Sequence, residues 1–399
     1  MDLDRHEGRF LQVRGVVSRQ VAPSSPLQVS VDITSLLHPL TGVGVFTRQL
    51  VDGLAPRADL DLSVFAVSWR GRGGLAAAAP AGAQVHARPM PARVARALWS
   101  QFDVPSARHL VGRVDVVHGP NFVVPPGGGA AEVATVHDLT AIHHPEMCTP
   151  DVLEWPDLLR RAVARGAWIH TVSEFVAAEV RDAFPAAAER VVAVPNGIGP
   201  PGPADATSDA AAGRFLAGGH RYVLAVGTVD PRKDLPSLVA AFTAVGARDP
   251  DLRLVIAGAD GLGSEGLDRA IAGSSLHRRI VRLGTVPEHQ RLALLRGATV
   301  VAYPSRYEGF GLVPLEAMAV GTPVVTTDAG AVPEVVGDAA FVVPVGDTDA
   351  LAGGLELVLG DEALAQELAD AGEARVRQFP WSATVAGLVA LYRQAASRA

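Results

Sequence analysis

Short apolar runs alternate with longer amphipathic stretches along most of the chain. In the N-terminal half, the apolar runs predict strands over 27–33, 60–67, 114–118, 132–136, 168–172 and 190–194. The stretches between them have helical spacing: a glycine loop at 40–47 opens a helix that runs to about 54, and others cover 92–111, 151–165 and 174–183. Strands that alternate with helices in this way form a parallel sheet covered on both faces.

The same alternation returns in the C-terminal half. Strands are predicted over 222–226, 253–257, 280–283, 299–302, 323–327 and 341–343, and helices over 235–247, 266–272, 288–296, 314–320, 349–359 and 382–397. Between the halves, 201–218 is rich in proline, alanine and small polar residues and is predicted to be a linker. We therefore expect a poorly ordered tail at 1–26, a domain at 27–200, and a second domain at 219–380.

Composition and charge narrow the class of protein. The chain has 399 residues, with 48% hydrophobic and 19% charged residues, which is typical of a globular protein of two or three domains. A net charge of −7 and the lack of a long basic run argue against a nucleic-acid partner. One cysteine, Cys148, excludes an internal disulfide, and no apolar run reaches the length of a transmembrane span. The sequence favours a cytoplasmic protein; contact with a membrane surface stays open.

The stretch 303–325 contains the strongest candidate for a functional site in the sequence. A buried strand leads into a loop with Glu308, then Gly309, Phe310 and Gly311, and a helix that Pro314 is predicted to begin, with Glu316 in its first turn. The backbone N–H groups at this helix start suit a phosphate, whereas the two carboxylates suit hydroxyl groups. We therefore interpret the stretch as a nucleotide-sugar site, in preference to a strand–helix unit with surface acids.

The string from Glu308 to Val324 resembles the E-x7-E signature of the retaining glycosyltransferases of family 4, which have the GT-B fold. That resemblance implies two Rossmann-like, doubly wound domains that face each other across a cleft, with a C-terminal helix, 381–399, returning to the N-terminal domain. It also implies that Glu308 contacts the donor sugar and that Glu316 contacts the nucleotide ribose. It extends from about residue 27 to the end of the chain.

Other motifs of the family lie at the ends of predicted strands. His137 and Asp138 resemble the family's V-H-D-L, in which the histidine contacts the donor sugar; Asp138 alone is as well explained as a turn cap. Ser173 lies in a T-V-S-E-F string and is a weaker candidate for the cleft. The segment 41–46 resembles the family's T-G-I-G-R-Y, but Val45 replaces the usual arginine. The segment 227–234 resembles G-T-x-x-P-R-K-N, with Thr228 where many relatives have arginine.

The resemblance, read together with these motifs, assigns the site residues. The predicted catalytic residues are His137, Arg232, Lys233 and Glu308. The predicted nucleotide-sugar-binding residues are Gly42, Gly44, Gly227, Thr228, Arg232, Lys233, Val286, Glu308, Gly309, Phe310, Gly311, Leu312, Val313 and Glu316. Lys233 is the chain's only lysine. Either arginine cannot replace lysine at this position, or the lysine has been kept there by chance.

The implied activity is transfer of a hexose, with retention, from a nucleotide diphosphate sugar to a hydroxyl of a glycan, a lipid-linked molecule or a small molecule. The motifs look most like those of bacterial mannosyltransferases, so GDP-mannose is the preferred donor. We expect no cofactor and no metal: three D-x-D triplets, at 2–4, 59–61 and 347–349, lack catalytic surroundings, and His143 and His144 lack a third ligand. The alternatives are an epimerase or hydrolase on the same fold and a non-catalytic nucleotide-sugar-binding protein. The acceptor and the oligomeric state stay open.

Overall fold

A computed structural model describes residues 25–38, 41–69, 71–199 and 206–399 of the chain. Residues 1–24 of the predicted tail and 201–205 of the predicted linker lie outside the described residues. The remainder of that linker range contains a helix, α8 (Ala206–Leu216), which packs against a helix of the C-terminal half and forms an ion pair from Asp209 to Arg296.

The N-terminal half is built on a seven-stranded parallel sheet. Its strands are β1 Leu27–Asp32, β2 Leu60–Phe65, β3 Gln84–His86, β4 Val116–Gly119, β5 Ala131–Val136, β6 Trp168–Thr171 and β7 Val191–Ala193, in the order β3-β2-β1-β4-β5-β6-β7. The six predicted strands all form. Strand β3 was not predicted, because an edge strand of three residues is too short for an apolar run to identify.

Helices cover both faces of this sheet. They are α1 Gly42–Leu54, α2 Leu75–Ala78, α3 Ala92–Gln101, α4 Ala107–Val111, α5 Thr140–His143, α6 Trp155–Ala164 and α7 Glu174–Ala183. The prediction of one helix over 92–111 was wrong. Residues 102–106 separate two helices there, because Pro105 has no N–H group and cannot continue a helix.

The C-terminal half has the same architecture, built on a six-stranded parallel sheet. Its strands are β8 Tyr222–Val226, β9 Arg253–Ala257, β10 Ile280–Gly284, β11 Val300–Tyr303, β12 Val324–Thr327 and β13 Phe341–Val343, in the order β10-β9-β8-β11-β12-β13. Its helices are α9 Leu235–Gly246, α10 Ser264–Gly273, α11 Glu288–Gly297, α12 Leu312–Met318, α13 Val332–Val336, α14 Thr348–Gly360 and α15 Glu362–Val376. Each sheet reverses its strand order beside its first strand, and open sheets bind ligands at such points.

The last helix, α16 (Trp381–Ala396), returns to the N-terminal half, as the family resemblance implied. It packs against α1 and beneath β4 and β5, and its apolar residues Leu388, Leu391 and Tyr392 are fully buried there. The fit is close: a Cβ placed on Gly53 of α1 would lie 2.5 Å from a methyl carbon of Val385. The two halves are therefore joined both by the linker and by α16.

Helix α12 begins earlier than the sequence indicated. Its first residue is Leu312 and its N-cap is Gly311, so Pro314 is the third helical residue and Glu316 lies in the second turn instead of the first. The cap decides the start: Gly311 has φ = 111°, a left-handed conformation that residues with a Cβ rarely adopt. The turn at Gly311 therefore sets the boundary, and Pro314 is tolerated because its missing N–H lies within the first helical turn.

Candidate active site

A buried carboxylate with two cations forms the centre of the cleft. The loop between β11 and α12 carries Glu308, whose side chain is 6% exposed. Its Oε1 atom lies 2.5 Å from Lys233 Nζ, and its Oε2 atom lies 2.6 Å from Arg232 Nη1. Ser305 donates a further hydrogen bond of 2.7 Å to Oε1. The loop after β8 and the loop after β11 thus place three of the predicted catalytic residues in direct contact.

The cations set the ionisation of this cluster. Burial by itself raises the pKa of the Glu308 carboxyl, but Arg232 and Lys233 outweigh it and hold that pKa at about 2. Burial lowers the pKa of the Lys233 ammonium to about 8, although Glu308 acts in the opposite direction. At neutral pH the cluster therefore contains one carboxylate and two cations, a net positive charge that suits a diphosphate.

The backbones of the two halves come into close contact at Gly309. A Cβ at this position would lie 1.7 Å from the carbonyl oxygen of His137, so only glycine fits. Across the cleft, a Cβ at Gly42, the first residue of α1, would lie 3.8 Å from Leu312 Cδ1. The T-G-V-G segment therefore faces the start of α12, on the side of the cleft that the sequence predicted. Gly44 is buried in the first turn of α1.

His137 lies at the end of β5 with its ring fixed in place. Its Nε2 atom is 2.7 Å from the carbonyl oxygen of Pro120, and the ring meets Phe46 edge to face. A carbonyl can only accept, so Nε2 carries the proton, and burial lowers the pKa of the ring so that it stays neutral. Nδ1 is then an acceptor, and no described residue donates a hydrogen bond to it. This nitrogen is available to a hydroxyl group in the cleft.

Glu316 forms a second, partly buried acidic site, on α12. Arg291 of α11 contacts it at 2.5 Å between Nη1 and Oε2, and Arg291 also contacts Glu288 at 2.6 Å. Burial raises the pKa of the Glu316 carboxyl, and Arg291 opposes that change. Val286 lies in the loop before α11, two residues from the start of the helix that carries Arg291. Arg291 was not predicted as a site residue, because its side chain meets Glu316 only when α11 packs against α12.

Other predicted site residues fall into three groups. Gly227 and Thr228 line a small cavity together with Lys233, beside the Glu308 cluster. Phe310 is 5% exposed and packs against Phe379, so its side chain belongs to the hydrophobic core and only its backbone can face a ligand. The side chains of Leu312 and Val313 are half-buried against the same core, which leaves their backbone N–H groups, at the start of α12, for ligand contact.

The weaker candidates have structural partners. Asp138 accepts a hydrogen bond of 2.9 Å from the Thr140 backbone, as a turn cap does. Ser173 caps α7 by accepting from Val176 N, and its hydroxyl donates to the Gly309 carbonyl oxygen at 2.8 Å. Ser173 therefore connects the two halves beside the site.

Metal-binding and membrane-spanning features are not found in the described part of the chain. No group of three or more histidine, cysteine, aspartate or glutamate side chains there has a geometry that could hold a metal ion. Of the three D-x-D triplets, Asp59 pairs with Arg57, Asp347 caps α14, and 2–4 lies outside the described residues. Among the same described residues, the helices are all too short or too polar to cross a bilayer.

Comparison with known proteins identifies the family of both halves of the chain. Residues 211–375 match the glycosyl transferases group 1, and residues 40–200 match Glycosyltransferase Family 4. The chain is similar to the O-antigen chain mannosyltransferase B of Escherichia coli, with 31% identity over 273 residues that cover 67% of this chain and 71% of that protein. It is also similar to the MMP alpha-(1->4)-mannosyltransferase of Mycolicibacterium hassiacum, with 30% identity covering 74% and 75% of the two chains.

Among solved structures, the sucrose-phosphate synthase of Thermosynechococcus elongatus superimposes with a TM-score of 0.70 at 22% identity, covering 94% of this chain and 100% of that one. This likeness confirms the predicted fold, two Rossmann-like domains facing a cleft. Sequence relatives and family matches on both halves agree with it, and the chain belongs to the group 1, family 4 glycosyltransferases: it is a glycosyltransferase with the GT-B fold.

Proposed function

We propose that this glycosyltransferase moves a hexose, with retention of configuration, from a nucleoside diphosphate sugar to a hydroxyl acceptor. The observation that supports this most strongly is Glu308, ionised between Arg232 and Lys233 and facing the His137 loop. In this proposal Arg232 and Lys233 bind the diphosphate. Glu308 and His137 Nδ1 accept hydrogen bonds from sugar hydroxyls, and Glu316 accepts them from the ribose.

The reaction then separates charge along the bond between the sugar and the phosphate. The bond from the anomeric carbon to the phosphate oxygen breaks, and a bond from the acceptor oxygen forms on the same face. The acceptor proton passes to the leaving phosphate. Arg232 and Lys233 stabilise the charge that develops on that phosphate, which is the effect expected of preorganised cations. Because side chains supply this charge, we propose that transfer needs neither a metal ion nor a cofactor.

For the donor we propose GDP-mannose. The support comes from the names of the relatives, since the Escherichia coli and Mycolicibacterium hassiacum proteins are both mannosyltransferases. The hydrolase alternative has no support from the site. A glycosidase needs one protonated carboxyl as its acid beside the sugar bond. The pKa of Glu308 is held at about 2 and its two oxygens are engaged by cations. Burial raises the pKa of Glu316, but Glu316 is paired with Arg291 and lies on the ribose side of the proposed site.

Thermal unfolding with GDP, UDP and ADP tests the donor. A ligand at 100 times its Kd adds about 2.7 kcal/mol of stability, so GDP should raise Tm more than the other two. NMR of the product made from GDP-mannose and an acceptor then gives the anomeric configuration. A larger shift with UDP would overturn the choice of base, and an inverted product would overturn the retaining mechanism. Unchanged transfer after dialysis against EDTA is expected.

A further inference from the structure

Arg291, on α11, is bonded to two carboxylates at once. Its Nε and Nη2 atoms donate to Glu288 Oε2 and Oε1, at 2.8 and 2.6 Å, and its Nη1 atom donates to Glu316 Oε2 at 2.5 Å. Each nitrogen atom of the guanidinium group therefore has a carboxylate oxygen as its partner. Because a planar group held at three points has a single orientation, Arg291 also fixes the Glu316 carboxylate that it contacts.

Helix α11 is held in place on another side by α8. A Cβ at Gly213 of α8 would lie 2.0 Å from the carbonyl oxygen of Ala293, and one at Gly297 of α11 would lie 2.8 Å from the carbonyl oxygen of Ala210. With the two backbones in such close contact, α11 cannot slide or turn without a clash. The helix from which Arg291 extends towards α12 is therefore rigidly placed.

The Glu316 carboxylate keeps one oxygen available to a ligand. Arg291 contacts Oε2, and no described residue donates a hydrogen bond to Oε1. The side chains of Arg291 and Glu316 are both partly buried, whereas the side chain of Glu288 is 75% exposed. Ion pairs with exposed side chains add little stability, so the contact with Glu288 matters chiefly because it orients the guanidinium group.

Arg291 also keeps Glu316 in the form that accepts hydrogen bonds. Burial raises the pKa of the Glu316 carboxyl; Arg291 opposes that change, Glu288 adds to it, and Lys233 lowers the pKa slightly. Without Arg291 the carboxyl would take up a proton at a higher pH, and the protonated oxygen could no longer act as a charged acceptor. The effect of Lys233 places Glu316 within electrostatic reach of the cations that bind the diphosphate in the proposed function.

We propose that Arg291 is a positioning residue for nucleotide recognition, and that it presents the free Oε1 atom of Glu316 to the ribose hydroxyls of the donor. The inference rests on the proposed function in one respect, the contact of Glu316 with the ribose. Arg291 acts through Glu316 and not on the substrate, since each of its nitrogen atoms already has a carboxylate partner. Its loss should therefore affect ribose recognition and leave the contacts of Arg232 and Lys233 with the diphosphate unchanged.

Titration calorimetry with GDP and with 2′,3′-dideoxy-GDP tests this role, because the two nucleotides differ only in the ribose hydroxyls. The parent should bind GDP at least about tenfold more tightly, as expected for hydrogen bonds to a carboxylate. Arg291→Met should bind the two nucleotides almost equally, as Glu316→Ala should, and Arg291→Lys should show an intermediate preference. Arg269→Met, which removes an exposed arginine of α10, is the matched control and should keep the parental preference.

The pH dependence of this preference gives a second measurement. In Arg291→Met any remaining preference for GDP should decline as the pH falls from about 7.5 to about 6, because Glu316 becomes protonated. In the parent and in Arg291→Lys, which keep a cation beside Glu316, the decline should begin at a lower pH. Both nucleotides carry the same diphosphate, so protonation of the diphosphate cancels in the ratio of the two affinities.

A parental preference for GDP in Arg291→Met at both pH values would overturn the inference. If Arg291→Met does not fold, a parental preference in Arg291→Lys would overturn it instead. Equal binding of the two nucleotides by the parent would overturn the ribose contact of Glu316 in the proposed function, and the inference with it. If the parent binds UDP more tightly than GDP, the proposed donor alone is overturned, and the comparison of UDP with 2′,3′-dideoxy-UDP decides the role of Arg291.

Discussion

Lys233 makes contacts that a compact ammonium can satisfy and a planar guanidinium cannot. Its Nζ atom lies 2.5 Å from Glu308 Oε1 and 2.7 Å from the Tyr303 hydroxyl, and it sits 4.3 Å from the centre of the Tyr303 ring. The side chain is 12% exposed. All other cationic side chains among the 35 lysine and arginine residues are arginine. The close packing gives a physical reason for lysine at this position.

Lys233→Arg should lower kcat to a value nearer that of Lys233→Ala than that of the parent. The charge is kept, but the wider group moves it away from the phosphate, and loss of one preorganised stabiliser typically costs about 10²–10³ in rate. Steady-state kinetics with GDP-mannose measures this, with the exposed Arg269→Lys as control. Parental turnover in Lys233→Arg would mean that the lone lysine has no special role.

Lys233 should also set the alkaline limit of activity. Because its pKa is lowered to about 8, the ammonium loses its proton as pH rises through that value, and contact with the diphosphate weakens. We expect kcat/KM for the donor to fall above about pH 8, since this ratio reports the pKa values of the free enzyme. In Lys233→Arg the fall should be absent. If kcat/KM still falls above about pH 8 in this variant, a group other than Lys233 sets the alkaline limit.

Substitutions of Glu308 and of Glu316 should have different effects on GDP affinity and on turnover. Glu316→Ala should weaken GDP binding by roughly 1.5–3 kcal/mol, because a charged acceptor for ribose hydroxyls is lost. Glu308→Ala should reduce turnover more than GDP affinity, because its proposed partner is the sugar. Titration calorimetry with GDP, combined with kinetics, measures both effects. Equal losses of GDP affinity in the two variants would contradict the separate roles.

At the scale of elements, α16 is attached to the N-terminal sheet by a buried polar chain. Tyr392 contacts His118 Nδ1 at 2.7 Å, His118 Nε2 contacts Thr135 at 2.7 Å, and Thr135 contacts His170 at 2.9 Å. Burial lowers the pKa of His118 well below its ordinary value and that of His170 to about 3. Both rings are therefore neutral in the folded protein.

Tyr392→Phe should destabilise the protein by about 1–3 kcal/mol, because His118 Nδ1 is left buried without its partner. Acid should destabilise the parent as well. Each depressed histidine pKa contributes stability that is complete above pH 6.5 and is lost as pH falls towards about 3. Urea unfolding at pH 7.5 and pH 5 measures both effects, with the exposed Gln394→Ala on the same helix as control. A midpoint in Tyr392→Phe equal to the parent's would show that the hydroxyl bond adds no stability.

At the scale of the whole molecule, polar contacts hold the two halves together around the cleft. Glu334 of α13 accepts from the backbone N–H groups of Glu174 and Phe175, at 2.9 and 3.0 Å, and so caps α7 from the other domain. Tyr307 accepts from Leu139 N at 2.9 Å and donates to Glu179 at 2.5 Å. A carboxylate at a helix N-terminus is favoured by the helix dipole, so the contact made by Glu334 stabilises the arrangement in which the two halves touch across the cleft.

Glu334→Ala should shift the molecule towards an open arrangement. Loss of two charge-assisted hydrogen bonds is expected to cost about 1.5–3 kcal/mol of closure, which lowers the apparent donor affinity about tenfold or more if only the closed form binds. Small-angle X-ray scattering should show a larger radius of gyration without donor and a parental one with saturating GDP. Glu362→Ala, an exposed acid at the start of α15, is the control. Identical scattering of the variant and the parent without donor would rule out a role for Glu334 in closure.

The sequence by itself determined the parts of this protein that depend on local pattern. Apolar runs located twelve of the thirteen strands, and the motif from Glu308 to Val324 identified the family. Both are encoded over a few consecutive residues, as side-chain periodicity or as a string of particular residue types. The start of α12 was misplaced because Gly311, whose left-handed φ is visible only in the fold, outweighed Pro314.

Only the tertiary structure decided which distant side chains meet. Tyr392 and His118 are 274 residues apart in the chain, and no spacing rule connects them. Glu316 was predicted from the sequence, but its partner Arg291 was not, because α11 brings Arg291 to Glu316 only when it packs against α12. Such sites depend on how elements pack, because burial and the direction of a side chain are properties of the assembled sheet.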